Sequence, residues 1–434
     1  PTLASDVFTL EESINIALER SLAVLSADEE IKAKEFEEHS AKADFYPKLS
    51  TSYTYTRLDS DTVNDAKHTT WVLDPSTGTP VPKELSPLRT DNYQFNITAT
   101  QPLFTGWRLT VLRDLASLGV DTAKIQKVST IQDLVLKVKV AYFAILKTEK
   151  LQNVARQAVE QLEGHLAVAQ AFYDEGIIAK NELLQTEVQM AQSRQDLISV
   201  THGVLLSKSL FNNLLRRGLT KPVRIKDILD YTPVRLRLDE AVEKAVLNRS
   251  EIQEVSLNVV AAEKNVKLTK SSYYPSVTFI GNYSRDTDDL FLQAVTAEDP
   301  DIWTLTLQAD WTLWEWGKRR DEVAASRARV AKARHLLNEI KDNISLEVQA
   351  AYLSLEEAKR NIQVSKTAVV QAEENYRMNE ERYKQQVATS TDVLDAQTLL
   401  TQARANHFNA LSDYNIAWAR LERAMGIGYE TEGK

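Results

Sequence analysis

The sequence predicts a mixed protein in which long coiled-coil helices are joined to short amphipathic strands of the membrane β-barrel type. Three observations predict it. The chain is internally duplicated, its helical segments carry heptads, and four segments of about ten residues alternate apolar with small polar residues. A half-buried soluble sheet shows the same period of two. Here, however, the polar positions are almost wholly Ser, Thr, Asn and Gln, without the Lys and Glu usual on a watery outer face. That favours a wall with lipid on one side and a lumen on the other.

The duplication orders the elements. "TLEESINIALERS" (9–21) returns as "RLDEAVEKAVLNRS" (237–250), and "FYPKLSTSYTY" (45–55) returns as "YYPSVTFIGNY" (273–283), both at an offset of 228 residues. Further on, "AYFAIL" (141–146) matches "AYLSLE" (351–356) and Tyr173 matches Tyr383, now at 210. The change of offset falls between Pro47 and Pro102 and marks an enlarged, Pro-rich loop at 59–91 in the first copy. Each copy therefore reads helix, strand, loop, strand, long helix, reversal, shorter helix.

The opening helices are expected at about 10–45 and 237–273. The strands follow at 49–58, 92–104, 276–284 and 301–314. In the last, Trp303, Leu305, Leu307, Ala309, Trp311 and Leu313 share one face. Tyr53, Tyr55, Tyr93, Phe95, Tyr283, Trp303 and Trp311 are the candidate membrane-interface aromatics, since Tyr and Trp concentrate where lipid meets water. The long helices carry Ile344, Val348, Ala351, Leu355, Ala358, Ile362, Ser365, Val369, Ala372, Tyr376, Asn379 and Tyr383 in steps of four and three, and the first copy repeats the rhythm. A sustained 3.5-residue period means knobs-into-holes packing. From Leu109 to Glu175 such a helix is roughly 100 Å long at about 1.5 Å per residue. The return helices, 181–216 and its partner through Leu421, continue the seam.

Four strands cannot close a barrel, and open sheet edges are not tolerated in hydrocarbon because their N–H and C=O groups find no partner. Two copies would supply eight strands and a filled interior; three supply twelve, with room for a passage. A homotrimer is the expected assembly.

Composition narrows the function. The 434 residues carry a net charge of -9, against nucleic-acid binding, and no cysteine, against disulfides, thiolate metal sites and a cysteine nucleophile. No apolar run reaches the ~18 to 20 residues of a membrane-spanning helix. The sequence opens at Pro1 without an initiator Met, as expected if an export signal has been removed. His39, His68, His165, His202, His335 and His407 never fall at ligand spacing, so neither metal nor cofactor is expected. No hydrolase, phosphate-loop or dinucleotide fingerprint is present, and the chain is not expected to be an enzyme. The acidic loop at 285–301 reads as a solvated outer loop, lacking regular calcium-ligand spacing.

The duplicated Y-P before a strand, the long heptad helices and "RYKQQVATSTDVLDAQTLL" (382–400) resemble the TolC-type outer-membrane efflux channels. The resemblance runs from about Thr9 to Gly426. It implies a trimeric twelve-stranded β-barrel in the outer membrane of a Gram-negative bacterium, continued into the periplasm by a twelve-helix coiled-coil α-barrel. Residues 48–104 and 276–316 would form barrel strands and extracellular loops. Residues 9–46, 108–217, 237–273 and 318–426 would form the helical barrel, in repeats of about 1–217 and 236–426, with 218–235 and 427–434 in an equatorial region. It further implies a passive exit duct of a tripartite efflux or type I secretion system, set in outer-membrane lipid. Its partners would be a periplasmic adaptor and an inner-membrane transporter of the resistance-nodulation-division or ABC type. A soluble periplasmic scaffold without a pore is the alternative reading.

The hairpin ends are the candidate site. Asp392 reads as a first-turn acid after an N-cap at Ser390 or Thr391, a reading that fits both copies because Asn181 and Glu182 occupy the matching places. Asp395 has no such reason, its counterpart being Gln185. The resemblance implies that Asp392 and Asp395, with Glu182 and Tyr383, line a constricted periplasmic gate, where six carboxylates would favour cations. A basic residue and a glycine usual in the family are replaced by Ala388 and Gln386, so the family's locking contacts do not carry over. Adaptor contact is expected at Gly176, Ile177, Ile178 and Ala179 and at Val387, Ala388 and Thr389.

Overall fold

The computed structural model describes residues 7–59, 69–74, 76–84, 90–293 and 301–427. His68, most of the enlarged loop's tips, residues 294–300 of the acidic loop and residues 428–434 of the expected belt lie outside them. Contacts divide the chain into two compact units, one of Pro1–Lys32, Asp121–Val259 and Ala333–Lys434, the other of Ala33–Val120 and Val260–Lys332.

Helices dominate, and the duplication holds almost residue for residue. The first copy has α1 (Leu10–Arg20), α2 (Leu22–Ala43), α3 (Arg108–Asp174) and α4 (Lys180–Leu214); the second has α5 (Leu238–Asn248), α6 (Ser250–Lys270), α7 (Lys318–Lys384) and α8 (Ser390–Ala424). The long helices α3 and α7 each have 67 residues, and the return helices α4 and α8 each have 35. None of these helices is long and apolar enough to cross a membrane.

The opening helices differ from expectation. Each is broken once, at Ser21 and at Arg249, where the backbone turns extended (ψ 121° and 122°). Ser21 Oγ then caps the Val24 N–H. Arg249 is held instead by Glu251 and Glu347 and by the carbonyls of Arg423 and Ala424. These side-chain bonds replace the helical bonds that the break gives up.

In the first unit the heptad stripe is the core. Val138, Ile145, Leu162, Val348, Leu355, Leu400 and Leu421 are all buried. A short parallel pair, β1 (Val7–Phe8) with β6 (Arg224–Ile225), lies beside α3. Tyr142 fixes it, donating its one hydroxyl proton within reach of the carbonyls of Phe8 (3.1 Å) and Lys226 (2.7 Å).

The second unit holds a four-stranded antiparallel sheet in the order β2 (Lys48–Arg57), β5 (Asp91–Phe104), β7 (Ser276–Thr287), β8 (Ile302–Asp310). Strand β8 stops before Trp311, earlier than expected, and the enlarged loop contains a hairpin of β3 (Thr69–Leu73) and β4 (Pro80–Glu84). The register keeps the two faces apart. Thr51, Ile97, Tyr283 and Trp303 lie in one row, and Leu49, Ala99, Gly281 and Leu305 in the next. Ser50, Thr98, Asn282 and Thr304 line up on the other face, where Thr98 Oγ1 donates to Asn282 Oδ1 at 2.9 Å. Trp303, Leu305 and Leu307 are left exposed.

Candidate functional site

At the two hairpin ends the chain reverses by the same backbone device. Gly176 N–H bonds to the Tyr173 carbonyl and Ile177 N–H to that of Phe172, at 2.9 and 2.8 Å. Gln386 and Val387 make the matching bonds to Tyr383 and Arg382, also at 2.9 and 2.8 Å. This closes each long helix and requires a left-handed residue after it. Gly176 and Gln386 occupy that position, at φ +70° and +61°. The tips that follow present Ile177 and Val387 to solvent, with Ala179 and Thr389 exposed beside them and Ile178 and Ala388 half-buried.

The return helices start differently from each other. The N-cap of α8 is Thr389, one residue before the positions expected. Its hydroxyl accepts from the Asp392 N–H at 3.3 Å, and the Asp392 carboxylate accepts from the Thr389 N–H at 2.8 Å. That reciprocal pair satisfies two donors that a helix start leaves open. The backbone N–H of Thr389, with help from its hydroxyl, holds the Asp392 carboxyl below its usual pKa. In α4 the matching cap is Ala179, which has no side chain to offer, so Asn181 and Glu182 take no part in a side-chain cap. The capping role is therefore particular to the second copy.

Asp395 lies one turn further on, exposed and without a hydrogen bond or ion pair among the described residues. Glu182 is half-buried at the start of α4. Tyr383, by contrast, is buried, packed against His165 and Phe172 with ring centroids 4.7 and 5.4 Å apart, and among the described residues its hydroxyl makes no hydrogen bond of good geometry, though Ser390 lies close enough to pull its pKa down a little. Burial, and secondarily the Glu182 charge, push its pKa up. The fold thus brings Glu182, Tyr383 and the start of α8 to one end, with Thr391 Oγ1 reaching Gln185 at 3.3 Å across the return helices.

Sequence reasoning passed over Thr186, weighed His165 only as a metal ligand and Ser390 only as an N-cap. All three are buried polar residues at this end. The available signal was a histidine beside the heptad stripe near a helix end, a place that burial makes unusual for a solvated side chain.

The interface aromatics all sit in the second unit. Tyr53, Tyr55, Trp303 and Trp311 are exposed, while Tyr93, Phe95 and Tyr283 are half-buried within the sheet. Tyr55 stacks on Tyr93 at 4.8 Å and donates to Asp91 at 2.7 Å. No cluster of three or more His, Asp and Glu able to hold a metal ion occurs among the described residues.

The sequence pattern of the family described as "Outer membrane efflux protein" matches residues 13–208 and 241–427. The outer membrane protein TolC of Vibrio cholerae is 23% identical over 352 residues, covering 79% of this chain and 78% of that protein. The toluene efflux pump outer membrane protein TtgF of Pseudomonas putida is 21% identical over 311 residues; the match covers 68% of this chain and 61% of TtgF, less than two thirds. Among solved structures, the outer membrane protein VceC of Vibrio cholerae superposes with a TM-score of 0.76 at 18% identity, covering 97% of each chain.

Proposed function

The chain belongs to the outer membrane efflux protein family, and from that premise we propose that three copies assemble into an exit duct gated at the hairpin ends. It is an outer-membrane efflux channel, not an enzyme, and the pore-less scaffold no longer competes. The observation that carries the assembly is the four-stranded sheet itself, and the need for a passage favours three copies over two. Among the described residues the sheet's edges, β2 and β8, lack partners, and its apolar face is exposed, an arrangement that lipid tolerates only once edges pair into a closed barrel. Three copies pool twelve strands, with Tyr53, Tyr55, Tyr93, Phe95, Tyr283, Trp303 and Trp311 at the lipid interfaces.

The helices support the same assembly. Leu184, Val188, Ile198 and Leu205 on α4 fall on one exposed heptad stripe. Leu346, Leu353, Val364 and Met378 on α7 fall on another, turned away from the buried seam. A second heptad stripe on a helix that already has one is what a closed ring of helices needs. Twelve helices from three copies form the periplasmic tunnel, and residues 218–235 form part of its belt.

At the ends, Asp392 and Asp395 set the charge, Glu182 adds to it, and Tyr383 packs behind them. The Thr389 cap holds the Asp392 carboxyl below its usual range, which keeps that charge in place. Gly176, Ile177, Ile178 and Ala179, with Val387, Ala388 and Thr389, present the small apolar surface that a periplasmic adaptor would grip. The adaptor in turn links the duct to an inner-membrane transporter of the resistance-nodulation-division or ABC type. In planar bilayers the protein is expected to conduct, and replacing Asp392 and Asp395 together by Ala to lower its cation preference. Unchanged selectivity removes these two residues from the gate.

A further inference from the structure

Behind the hairpin ends lies a buried polar chain that the duplication does not repeat. His165 on α3 reaches Ser390 at the start of α8, with Nε2 and Oγ 2.8 Å apart. Ser390 Oγ lies 2.9 Å from Thr186 Oγ1 on α4, and Thr186 donates to the Glu182 carbonyl at 3.0 Å. The fourth helix, α7, joins through Tyr383, whose ring packs on that of His165. Thr186 and Ser390 are wholly buried and His165 nearly so. The residues 210 away are Asn375, Ala396 and Lys180, a set that cannot rebuild the chain, because Ala396 has no hydroxyl and a lysine ammonium cannot accept a hydrogen bond.

The bonds have a direction. Thr186 has one hydroxyl proton and gives it to a carbonyl, so it accepts from Ser390. Ser390 then accepts from His165, which places a hydrogen on Nε2. The neighbouring packing, from Tyr376, Val393, Ala396 and Leu400, is apolar. Parting the ends would leave three buried polar groups without partners until water reached them, so the chain resists separation.

We propose that the His165–Ser390–Thr186 chain is a latch holding the two hairpin ends of one protomer together, and that protonation of His165 releases it. This rests on the reading of those ends as the gate of the duct. The groups around His165 are few. On α7 they are Tyr383 and Glu380, the latter paired with Lys384 at 2.9 Å. Glu182 on α4 acts on Tyr383, and Asp392 on α8 is engaged in its own cap. Burial dominates and lowers the His165 pKa to about 4, against a weaker upward pull from Glu380.

Latched ends therefore keep His165 neutral, and parted ends return it to an ordinary value of 6.5. The parted state binds more protons between those two values. Acid thus favours parting as pH falls from 6.5 towards about 4, with no further gain below. At about pH 5 the shift is roughly 30-fold per protomer.

The test uses the full chain in planar bilayers at about pH 7.5 and about pH 5. Wild type should conduct more in acid. His165→Gln, which still donates to Ser390 but does not titrate, should keep the neutral-pH conductance and lose the acid response. His165→Phe, which cannot donate, should conduct at neutral pH as wild type does in acid. An acid response in H165Q equal to that of wild type overturns the latch, as does an unaltered neutral-pH conductance in H165F. A Gln185→Cys, Thr391→Cys pair, in a chain with no cysteine of its own, tests the gate separately. Oxidation should abolish the acid current. If the crosslinked protein still conducts in acid, the gate reading falls. If crosslinking blocks the current while both His165 variants behave as wild type, only the latch falls.

Discussion

Gln386 holds a left-handed backbone at the place where the first copy has Gly176. A side chain there meets its own carbonyl, at about 1–2 kcal/mol, while glycine costs about 0.5–1 kcal/mol in lost chain freedom. Gln386→Gly should therefore stabilise the second hairpin end by about 0.5–1 kcal/mol, read as a higher melting temperature in detergent. Asp392 illustrates a different point. Its place near a helix start was legible from sequence, but the residue that caps with it was not. Ser390, the nearer candidate, is drawn inward to His165, which leaves Thr389 to take the cap. Local spacing names an acid at a helix start; only the packing says which hydroxyl is free to meet it.

At the scale of elements, the duplication extends to the turns. Leu215, Arg216 and Arg217 bond back to Phe211, Asn213 and Asn212 just as Met425, Gly426 and Ile427 bond back to Leu421, Arg423 and Glu422. Arg216 and Gly426 both have positive φ. The second copy needs its glycine, since a Cβ on Gly426 would lie 2.7 Å from the Asn248 carbonyl carbon. Gly426→Ala should destabilise the chain by about 3 kcal/mol, from overpacking added to the left-handed penalty, measurable by denaturation. The same site explains the break between α5 and α6. Arg249, nearly buried, ties it to α7 and to the end of α8. Sequence reasoning ran these two helices together because a break fixed by contacts about 100 to 175 residues away leaves no mark in a local window.

At the scale of the molecule, the exposed stripes on α4 and α7 matter most. Each is apolar enough to pack and is left uncovered within one chain. Leu353→Glu with Val364→Glu should shift the protein from trimers towards monomers by light scattering in detergent, because a charge at a packed seam is costly unless paired. Trimers that persist with these charges in place would move the subunit contact elsewhere.

The sequence by itself determined what repeats: the duplication, the lengths of α3, α4, α7 and α8, the buried heptad stripe and the two-faced strands. Periodic features are legible because each residue's place follows from its near neighbours, three or four apart in a helix and two apart in a strand. Only the tertiary structure decided what does not repeat. Tyr383, expected to line a gate, is buried against His165 and Phe172; the Thr389 cap and the Arg249 anchor belong to the second copy alone; and His165 meets Ser390 across 225 residues of chain. Such contacts depend on how four helix ends converge, and no spacing along one strand of sequence carries that information.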